Sequence, residues 1–184
     1  KPENKLGIRA SDTCELYFDN VKVPVENLIG KEGEGFKIAL ATLDGGRIGI
    51  ASQALGIAQA ALNASVSYSN ERIQFGKPIS KNQAIQFKIA DMGMEIEAAR
   101  LLIRQAAWKK DQKQNYGHIA SMAKVYASEV AMRASTQCVQ IHGGFGYMRE
   151  SGIERLMRDA KITQIYEGTS EIQRVVIARE LLKK

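Results

Sequence analysis

The sequence predicts a mainly α fold, an antiparallel helical bundle preceded by a short N-terminal β segment. Two observations carry this prediction. Residues 5–27 alternate polar and apolar side chains, as a strand does, whereas the chain beyond residue 35 repeats apolar residues every three or four positions. With 184 residues the chain is also long enough to bury a core, and no apolar run approaches the length of a membrane span.

The N-terminal segment reads as one or two strands. Polar and apolar residues alternate from Thr13 to Asp19, and Pro24 ends the pattern. A lone hairpin is marginal in water, so we expect this segment to pack against something else. Because the chain starts with Lys1 rather than methionine, we also expect it to be a piece of a longer or processed protein.

Three long helices and two shorter ones are predicted after the glycine-rich turn at 30–35. The first has two apolar stripes and is therefore expected to be buried on two sides. One stripe comprises Ile48, Ala51, Leu55, Ala58 and Leu62, and the other comprises Ile50, Ile57, Ala61 and Ala64. The second repeats through Ile85, Ile89, Met92, Ile96, Ala99, Ile103 and Ala106. The others are predicted at about 118–141, 152–159 and 170–182, and short connections make neighbouring helices antiparallel.

Charge and cysteine usage exclude several classes of function. The net charge is +6, but Lys and Arg are spread along the chain with no run longer than two, which argues against nucleic-acid binding. Cys14 and Cys138 have no metal-binding or redox spacing, which suits a reducing compartment. His118 and His142 have no partner ligands at metal-binding spacing, so no metal site is predicted.

Glu167 is the leading candidate for a reactive residue. It stands in a short loop next to Gly168, just before a predicted helix. Ser170 and Gln173 have the spacing of a capping box, and Glu171 adds negative charge to the first turn. A capped helix would fix the loop and so hold the carboxylate as a general base. On spacing alone, a solvated loop carboxylate is the alternative.

The segment 71–78 is a second candidate. Arg72 offers a fork for phosphate and Phe75 a flat apolar surface. The alternative is a helix C-terminus at which basic residues complement the dipole and Gly76 and Pro78 stop the helix.

A third cluster, 140–147, has three glycines in four positions at the end of the third helix. Glycines there allow a ligand to approach the backbone closely, or they form an ordinary C-cap and turn. No preceding strand is predicted, so this is not a dinucleotide-binding fingerprint.

Together these segments resemble one family, the acyl-CoA dehydrogenases, and within it the short-chain (butyryl-CoA) branch. Four motifs occur in the family's order and spacing, and the similarity runs along the whole chain. They are Arg-x-x-Phe-Gly at 72–76, Gln-Ile-x-Gly-Gly-x-Gly-Tyr at 140–147, Arg-Asp-Ala-Lys-Ile at 158–162 and Ile-Tyr-Glu-Gly-Thr-Ser-Glu-Ile-Gln at 165–173.

The resemblance implies FAD-dependent α,β-dehydrogenation of an acyl-CoA thioester. Glu167 matches the base that removes the α-proton while the β-hydride passes to flavin N5. The backbone N–H of this base, together with a flavin ribityl hydroxyl, polarises the thioester carbonyl. Gly168 matches a substrate contact, and Thr169, Ser170 and Glu171 match FAD contacts.

The other two clusters match further cofactor contacts. Arg72 corresponds to a pyrophosphate contact, and Phe75 and Gln83 to flavin contacts. The cofactor-binding turn corresponds to Gln140, Ile141, His142, Gly143 and Gly144. In this family such contacts usually reach the FAD of a neighbouring subunit, which implies a homotetramer built as a dimer of dimers.

The resemblance also places the substrate beside the first long helix. Asp44, Gly45, Gly46 and Arg47 match its substrate-side start. Some family members carry the base on this helix instead, and here the corresponding position is Gly46, which cannot serve and so strengthens the assignment of Glu167.

Family members also carry an N-terminal helical domain and a middle β-domain. The resemblance therefore divides the chain into residues 1–27, the end of the β-domain, and residues 28–184, the C-terminal helical bundle. It implies an electron-transfer flavoprotein as electron acceptor, and a location in the bacterial cytoplasm or the mitochondrial matrix, with no nucleic acid or membrane as partner. Three alternatives stay open: a DNA-binding relative of this fold, a purely structural oligomerisation bundle and an acyl-CoA oxidase.

Overall fold

A computed structural model describes residues 2–183 of the chain. Within that range the helices are α1 (Gly35–Glu71), α2 (Gln83–Asp111), α3 (Gly117–His142), α4 (Gly144–Tyr147), α5 (Ile153–Thr163) and α6 (Ser170–Leu181). One small antiparallel sheet pairs β1 (Ile73–Gln74) with β2 (Lys77–Pro78). The predicted helical bundle is confirmed, with three long helices, two shorter ones and the single turn of α4 in addition.

The core lies where α1 and α2 pack on α3. Its most buried positions are small residues of α1 and α3: Ala51, Ala54, Ala58, Ala61, Ala123, Ala127, Ala131 and Ala134. Small side chains let two helix backbones approach closely, and the distance between helix axes depends on the residues at the contact. The larger apolar residues predicted for α1, including Ile48, Leu55 and Leu62, flank this contact and are partly buried.

The predicted N-terminal strands are absent from the described residues. Residues 2–24 form no strand, and a 3₁₀ turn follows at Val25–Asn27. Side chains such as Tyr17 and Phe18 are exposed over 89% and 75% of their surface. A strand needs a partner for its backbone groups, and among residues 2–183 this segment forms no ladder: the N–H of Glu3 donates to the carbonyl of Thr13 at 2.9 Å, but the pairing does not extend further. It is tied to α5 by two hydrogen bonds: the backbone N–H of Ile8 donates to Asp159 Oδ1 at 2.6 Å, and the Arg158 guanidinium donates to the carbonyl of Leu6 at 2.7 Å.

The segment after α1 is a hairpin rather than a simple helix stop. Ile73 pairs with Pro78 and Gln74 with Lys77. The two turn residues, Phe75 and Gly76, both have positive φ angles of 51° and 77°, as a type I′ turn requires. Phe75 is consequently carried out into solvent, with 97% of its surface exposed.

Neither a membrane-spanning helix nor a metal site is found in residues 2–183. No helix there combines the length and apolar character needed to cross a membrane. No cluster of three or more His, Cys, Asp or Glu side chains is placed to hold a metal ion in that range.

Candidate functional site

The loop between α5 and α6 presents Glu167 in an unusual backbone conformation. Glu167 has a φ angle of 56° and Gly168 one of 88°. The left-handed region is sterically costly for a residue with a Cβ, so the surrounding structure must hold Glu167 there.

The helix cap differs from the predicted capping box. Thr169, rather than Ser170, is the N-cap of α6, and its side chain accepts from the N–H of Ile172 at 3.4 Å. Ser170 is the first helical residue and closes the loop through its N–H, which donates to the carbonyl of Gln164 at 3.0 Å. The prediction was right that a capped helix holds the loop but wrong about which residue caps it.

Two buried side chains donate hydrogen bonds to the backbone carbonyls of the loop. Nε2 of Gln173 donates to the carbonyls of Glu167 at 3.1 Å and Gly168 at 2.9 Å. Nζ of Lys124, on α3, donates to the same Gly168 carbonyl at 2.8 Å. Both side chains are fully buried. Lys124 was not among the predicted site residues, because a lysine in a helical pattern is normally assigned to the solvent face.

The carboxylate of Glu167 lies against α1. A Cβ added to Gly46 would lie 2.7 Å from Cδ of Glu167, so only glycine leaves room for this side chain. Glu167 is half-buried, and its Oε2 is shielded from solvent without a hydrogen-bond partner among the described residues. The structure thus brings Glu167 together with the segment Asp44–Arg47 of α1, which begins nine residues before Asp44, at Gly35, rather than at this segment as the sequence predicted.

The rest of that α1 segment is also tied to the site. Arg47 is buried and donates to Asp44 Oδ1 at 2.6 Å and to Ser121 Oγ at 3.4 Å. Gly45 lies next to the Lys110 ammonium, 3.2 Å from where a Cβ would be.

Burial and nearby charges shift the pKa of two further groups beside Glu167. Burial, together with the nearby Arg47 guanidinium, lowers the pKa of Lys124 from 10.5 to about 8, although Glu167 and Glu171 act in the opposite direction. Burial raises the pKa of the Tyr166 hydroxyl, which donates a hydrogen bond to Gln53. The site therefore contains a positive charge that burial disfavours and that carboxylates stabilise.

A second candidate site lies where the other two motifs meet. A groove of about 530 Å³ is lined by Tyr68, Arg72, Gln74, Ile79, Ile141, His142, Gly143, Gly144 and Phe145. The ring of His142 stacks on Tyr68 with centroids 4.2 Å apart, and its Nδ1 is 2.8 Å from the carbonyl of Cys138. The backbone bends away at Gly143, where φ is 61°. Three other predicted cofactor residues, Phe75, Gln83 and Gln140, are exposed and do not line this groove.

The groove lies at the C-terminal end of α1, and the Glu167 loop lies against the first third of this helix. Gly46 is part of this helix and Arg72 directly follows its last residue. The two are 26 positions apart, which corresponds to roughly 39 Å at 1.5 Å per residue. The structure therefore joins the predicted residues into two separate clusters. One contains Glu167 with Asp44–Arg47 and Gly168–Glu171, and the other contains Arg72 with Ile141–Gly144.

Comparison with known proteins gives a consistent picture. Residues 33–182 match the profile of the family described as "Acyl-CoA dehydrogenase, C-terminal domain". Two similar curated proteins are the short-chain specific acyl-CoA dehydrogenase of Megasphaera elsdenii, 58% identical over the whole chain, and the mitochondrial short-chain specific enzyme of Bos taurus, 57% identical over the whole chain. The chain spans 48% and 44% of their respective lengths, about half of each.

A solved structure agrees closely in three dimensions. A chain in the structure described as that of the electron transferring flavoprotein of Acidaminococcus fermentans is 58% identical, with a TM-score of 0.99. The match covers 100% of this chain and 48% of that one. From the family profile, the sequence identity and this shared fold, we conclude that the chain belongs to the acyl-CoA dehydrogenase family, in which it corresponds to the C-terminal domain.

Proposed function

We propose that the full-length protein is an FAD-dependent dehydrogenase of short acyl-CoA thioesters, with Glu167 as the base that removes the α-proton. One observation carries this proposal. The Glu167 carboxylate is half-buried in a fixed loop, fits only because residue 46 is glycine, and has an oxygen with no partner among the described residues. A carboxylate held with a free lone pair is suited to accept a proton from carbon.

The backbone of the same loop supplies the second requirement, an acidic α-C–H bond. The N–H of Glu167 makes no hydrogen bond among the described residues and so can donate to the thioester carbonyl oxygen of the substrate. Charge that develops on this oxygen during proton removal is then stabilised by a fixed donor. Gly168 and the segment Asp44–Arg47 of α1 border the space in which the acyl group would lie.

The groove at the C-terminal end of α1 fits an anionic cofactor with flat rings. Arg72 is exposed and its guanidinium forms no ion pair among residues 2–183, whereas the stacked Tyr68 and His142 provide apolar surface. Gly143 and Gly144 leave open space where a Cβ would be. We assign FAD contacts to Arg72, Phe75, Gln83 and Gln140–Gly144, and to Thr169–Glu171 beside the base. When bound, FAD supplies the acceptor for the β-hydride.

The separation of roughly 39 Å has a consequence for assembly. The Arg72 cluster and Glu167 of one chain are too far apart to serve one catalytic centre, so the Arg72 cluster would complete the cofactor site of another subunit. This supports a dimer with shared sites, and we propose, from the family resemblance, that two such dimers form a homotetramer.

Three further assignments belong to the same proposal. Residues 1–27 are the end of a preceding β-domain and residues 28–184 are the helical domain, which accounts for the exposed apolar side chains near the N-terminus. The electron acceptor is an electron-transfer flavoprotein. The similar proteins include bacterial and mitochondrial ones, and we place this protein in the bacterial cytoplasm or the mitochondrial matrix.

An absorbance spectrum of the full-length protein tests the function directly. We expect flavin bands that bleach when butyryl-CoA is added without oxygen. Oxidised bands that persist would overturn the short-chain substrate, and a protein without flavin that binds DNA in a steeply salt-dependent way would favour the DNA-binding alternative. Rapid reoxidation of the bleached flavin by oxygen would instead identify an oxidase.

A further inference from the structure

We propose that Lys124 and Gln173 are positioning residues for Glu167, two buried donors that hold the carbonyls of Glu167 and Gly168 and thereby fix the direction of the base. This inference rests on the proposed function, because it concerns the residue that we assign as the base. It adds two residues that the sequence motifs gave no catalytic part.

The backbone of the loop needs such support. Glu167 and Gly168 both have positive φ angles, and Glu167 has a Cβ that makes this conformation unfavourable. A residue stays in such a conformation only where surrounding contacts over-determine it. The Thr169 cap acts one residue beyond this pair and leaves the two carbonyls unsatisfied.

The two side chains supply what the cap does not. The Gly168 carbonyl accepts from both Lys124 and Gln173, so both of its lone pairs are used, and the Glu167 carbonyl accepts from Gln173. The donors come from different helices, α3 and α6. The loop is thus fixed relative to the bundle as a whole rather than to a single helix.

The burial of Lys124 indicates that this contact has a purpose other than packing. It is fully buried, and a lysine is rarely buried without a partner. It makes no salt bridge shorter than 4 Å with the described residues, and its hydrogen bond is to Gly168. The charged groups around its ammonium are Arg47 on α1, Glu167 in the loop and Glu171 on α6. An apolar residue would pack in the bundle at less cost, but it would leave the Gly168 carbonyl one donor short.

Fixing the two carbonyls also fixes the positions of the N–H and the carboxylate of Glu167, the two groups that we assign to catalysis. The bound carbonyls restrain the φ and ψ angles of Glu167, and a change in these angles would alter the direction of its N–H relative to its side chain and move the carboxylate from the pocket beside Gly46. Since a misplacement of about 1 Å can cost roughly 10²-fold in rate, loss of either donor should slow proton removal more than it weakens substrate binding.

The test uses the full-length protein with FAD and two variants, Lys124→Met and Gln173→Leu. We expect each to lower the rate of flavin reduction by butyryl-CoA, per bound flavin, by roughly 10- to 100-fold with a change in KM of less than about threefold. The α-deuterium isotope effect on this rate should be at least as large as in the wild type. Lys88→Met, which removes a lysine bonded to Gln137 between α2 and α3, is the matched control and should reduce flavin normally.

A second readout does not depend on activity. Hydrogen–deuterium exchange of the peptide covering residues 164–172 should accelerate in both variants and stay unchanged in Lys88→Met. If Lys124→Met and Gln173→Leu do not fold, Gln173→Asn decides, because it keeps a buried amide but is one methylene too short to reach both carbonyls.

Reduction rates per flavin within twofold of the wild type, with unchanged exchange in the loop, would overturn the inference. That result differs from failure of the proposed function, in which the wild-type protein itself would not reduce its flavin with butyryl-CoA.

Discussion

Gly46 and Glu167 compete for one position: the point that a Cβ on residue 46 would occupy lies 2.7 Å from Cδ of Glu167. A side chain mounted on α1 and one mounted on the α5–α6 loop would therefore reach the same pocket. This explains in spatial terms why a base could be carried by either element, and why a base in the loop requires glycine on the helix.

Gly46→Ala should lower turnover while leaving the stability of the protein nearly unchanged. Alanine favours a helix interior over glycine by about 1 kcal/mol, but here its Cβ would displace the Glu167 carboxylate. We expect the rate of flavin reduction to fall by roughly 10²-fold with little loss of stability. Gly49→Ala, on the same helix with open space around it, is the control and should gain about 0.5–1 kcal/mol in free energy of unfolding at normal turnover. Equal turnover in the two variants would show that residue 46 does not limit the base.

Glu167→Gln should abolish α-proton removal while FAD stays bound. The amide is nearly isosteric with the carboxylate but cannot accept a proton at neutral pH, and a general base typically contributes roughly 10²- to 10⁴-fold. Stopped-flow reduction by butyryl-CoA measures the loss, and the flavin spectrum reports retention of the cofactor. Glu97→Gln, which removes an exposed carboxylate paired with Arg100, serves as the control. Near-normal reduction by Glu167→Gln would refute the assignment of the base.

Arg72→Ala should weaken FAD binding rather than the chemistry. Hydrogen bonds to a charged group contribute about 1.5–3 kcal/mol, so the Kd for FAD should rise by roughly 10- to 100-fold. The reduction rate per bound flavin should stay normal at saturating FAD. Titration of the apoprotein with FAD measures the change, and an unaltered Kd would remove Arg72 from the cofactor site.

The distance between Arg72 and Glu167 leads to a complementation experiment. If each catalytic centre uses Glu167 of one subunit and Arg72 of another, a mixed dimer of Glu167→Gln and Arg72→Ala subunits contains one doubly altered centre and one intact centre. At an FAD concentration that leaves the Arg72→Ala parent mostly without cofactor, both parent variants should be nearly inactive. Co-expression should then restore activity to roughly half of the wild-type value per mixed dimer. Activity no higher than the average of the two parent variants would show that both residues serve the same centre.

Lys124 should make stability depend on pH between about 8 and 10.5. Its pKa is about 8 in the folded protein and 10.5 when unperturbed, so in this window the unfolded state binds more protons. The contribution of Lys124 to the free energy of unfolding therefore rises with pH there and is constant below pH 8. Denaturant titrations of the wild type and Lys124→Met should diverge in favour of the wild type as pH rises. The groups whose pKa burial raises, Tyr166 and Cys138, are present in both proteins and cancel in the difference. A difference that does not change with pH would contradict the lowered pKa.

The helices were predictable because apolar spacing records which face is buried. The sequence of α2 marks its buried positions directly, from Ile85 to Ala106, and the structure places all of them in or against the core. For α1 the pattern gave the buried sides but not the centre of the contact, since the innermost residues are alanines and spacing does not reveal how closely two helices approach.

Other features depend on partners that a pattern cannot show. The segment around Tyr17 alternates as a strand does, but the described part of the chain supplies no strand to pair with it. For Lys124 the only local signal is its spacing from Ala120 and Ala127, four positions before and three after, which puts it on the buried face of α3. The cap at Thr169 was missed because Thr169 and Ser170 are adjacent, and Gln173 binds the loop carbonyls instead of completing a capping box.

Because α1 is one uninterrupted helix, insertions and deletions within it change the relative position of the two clusters. Each residue of a helix adds a turn of 100° and 1.5 Å, so one codon inserted or deleted between Gly46 and Arg72 would rotate one cluster by 100° about the helix axis relative to the other. Seven codons would nearly restore the angle but would shift the clusters about 10 Å further apart or closer together. Substitutions at the exposed positions of this stretch can be absorbed, but an in-frame insertion or deletion there would displace one cluster relative to the other.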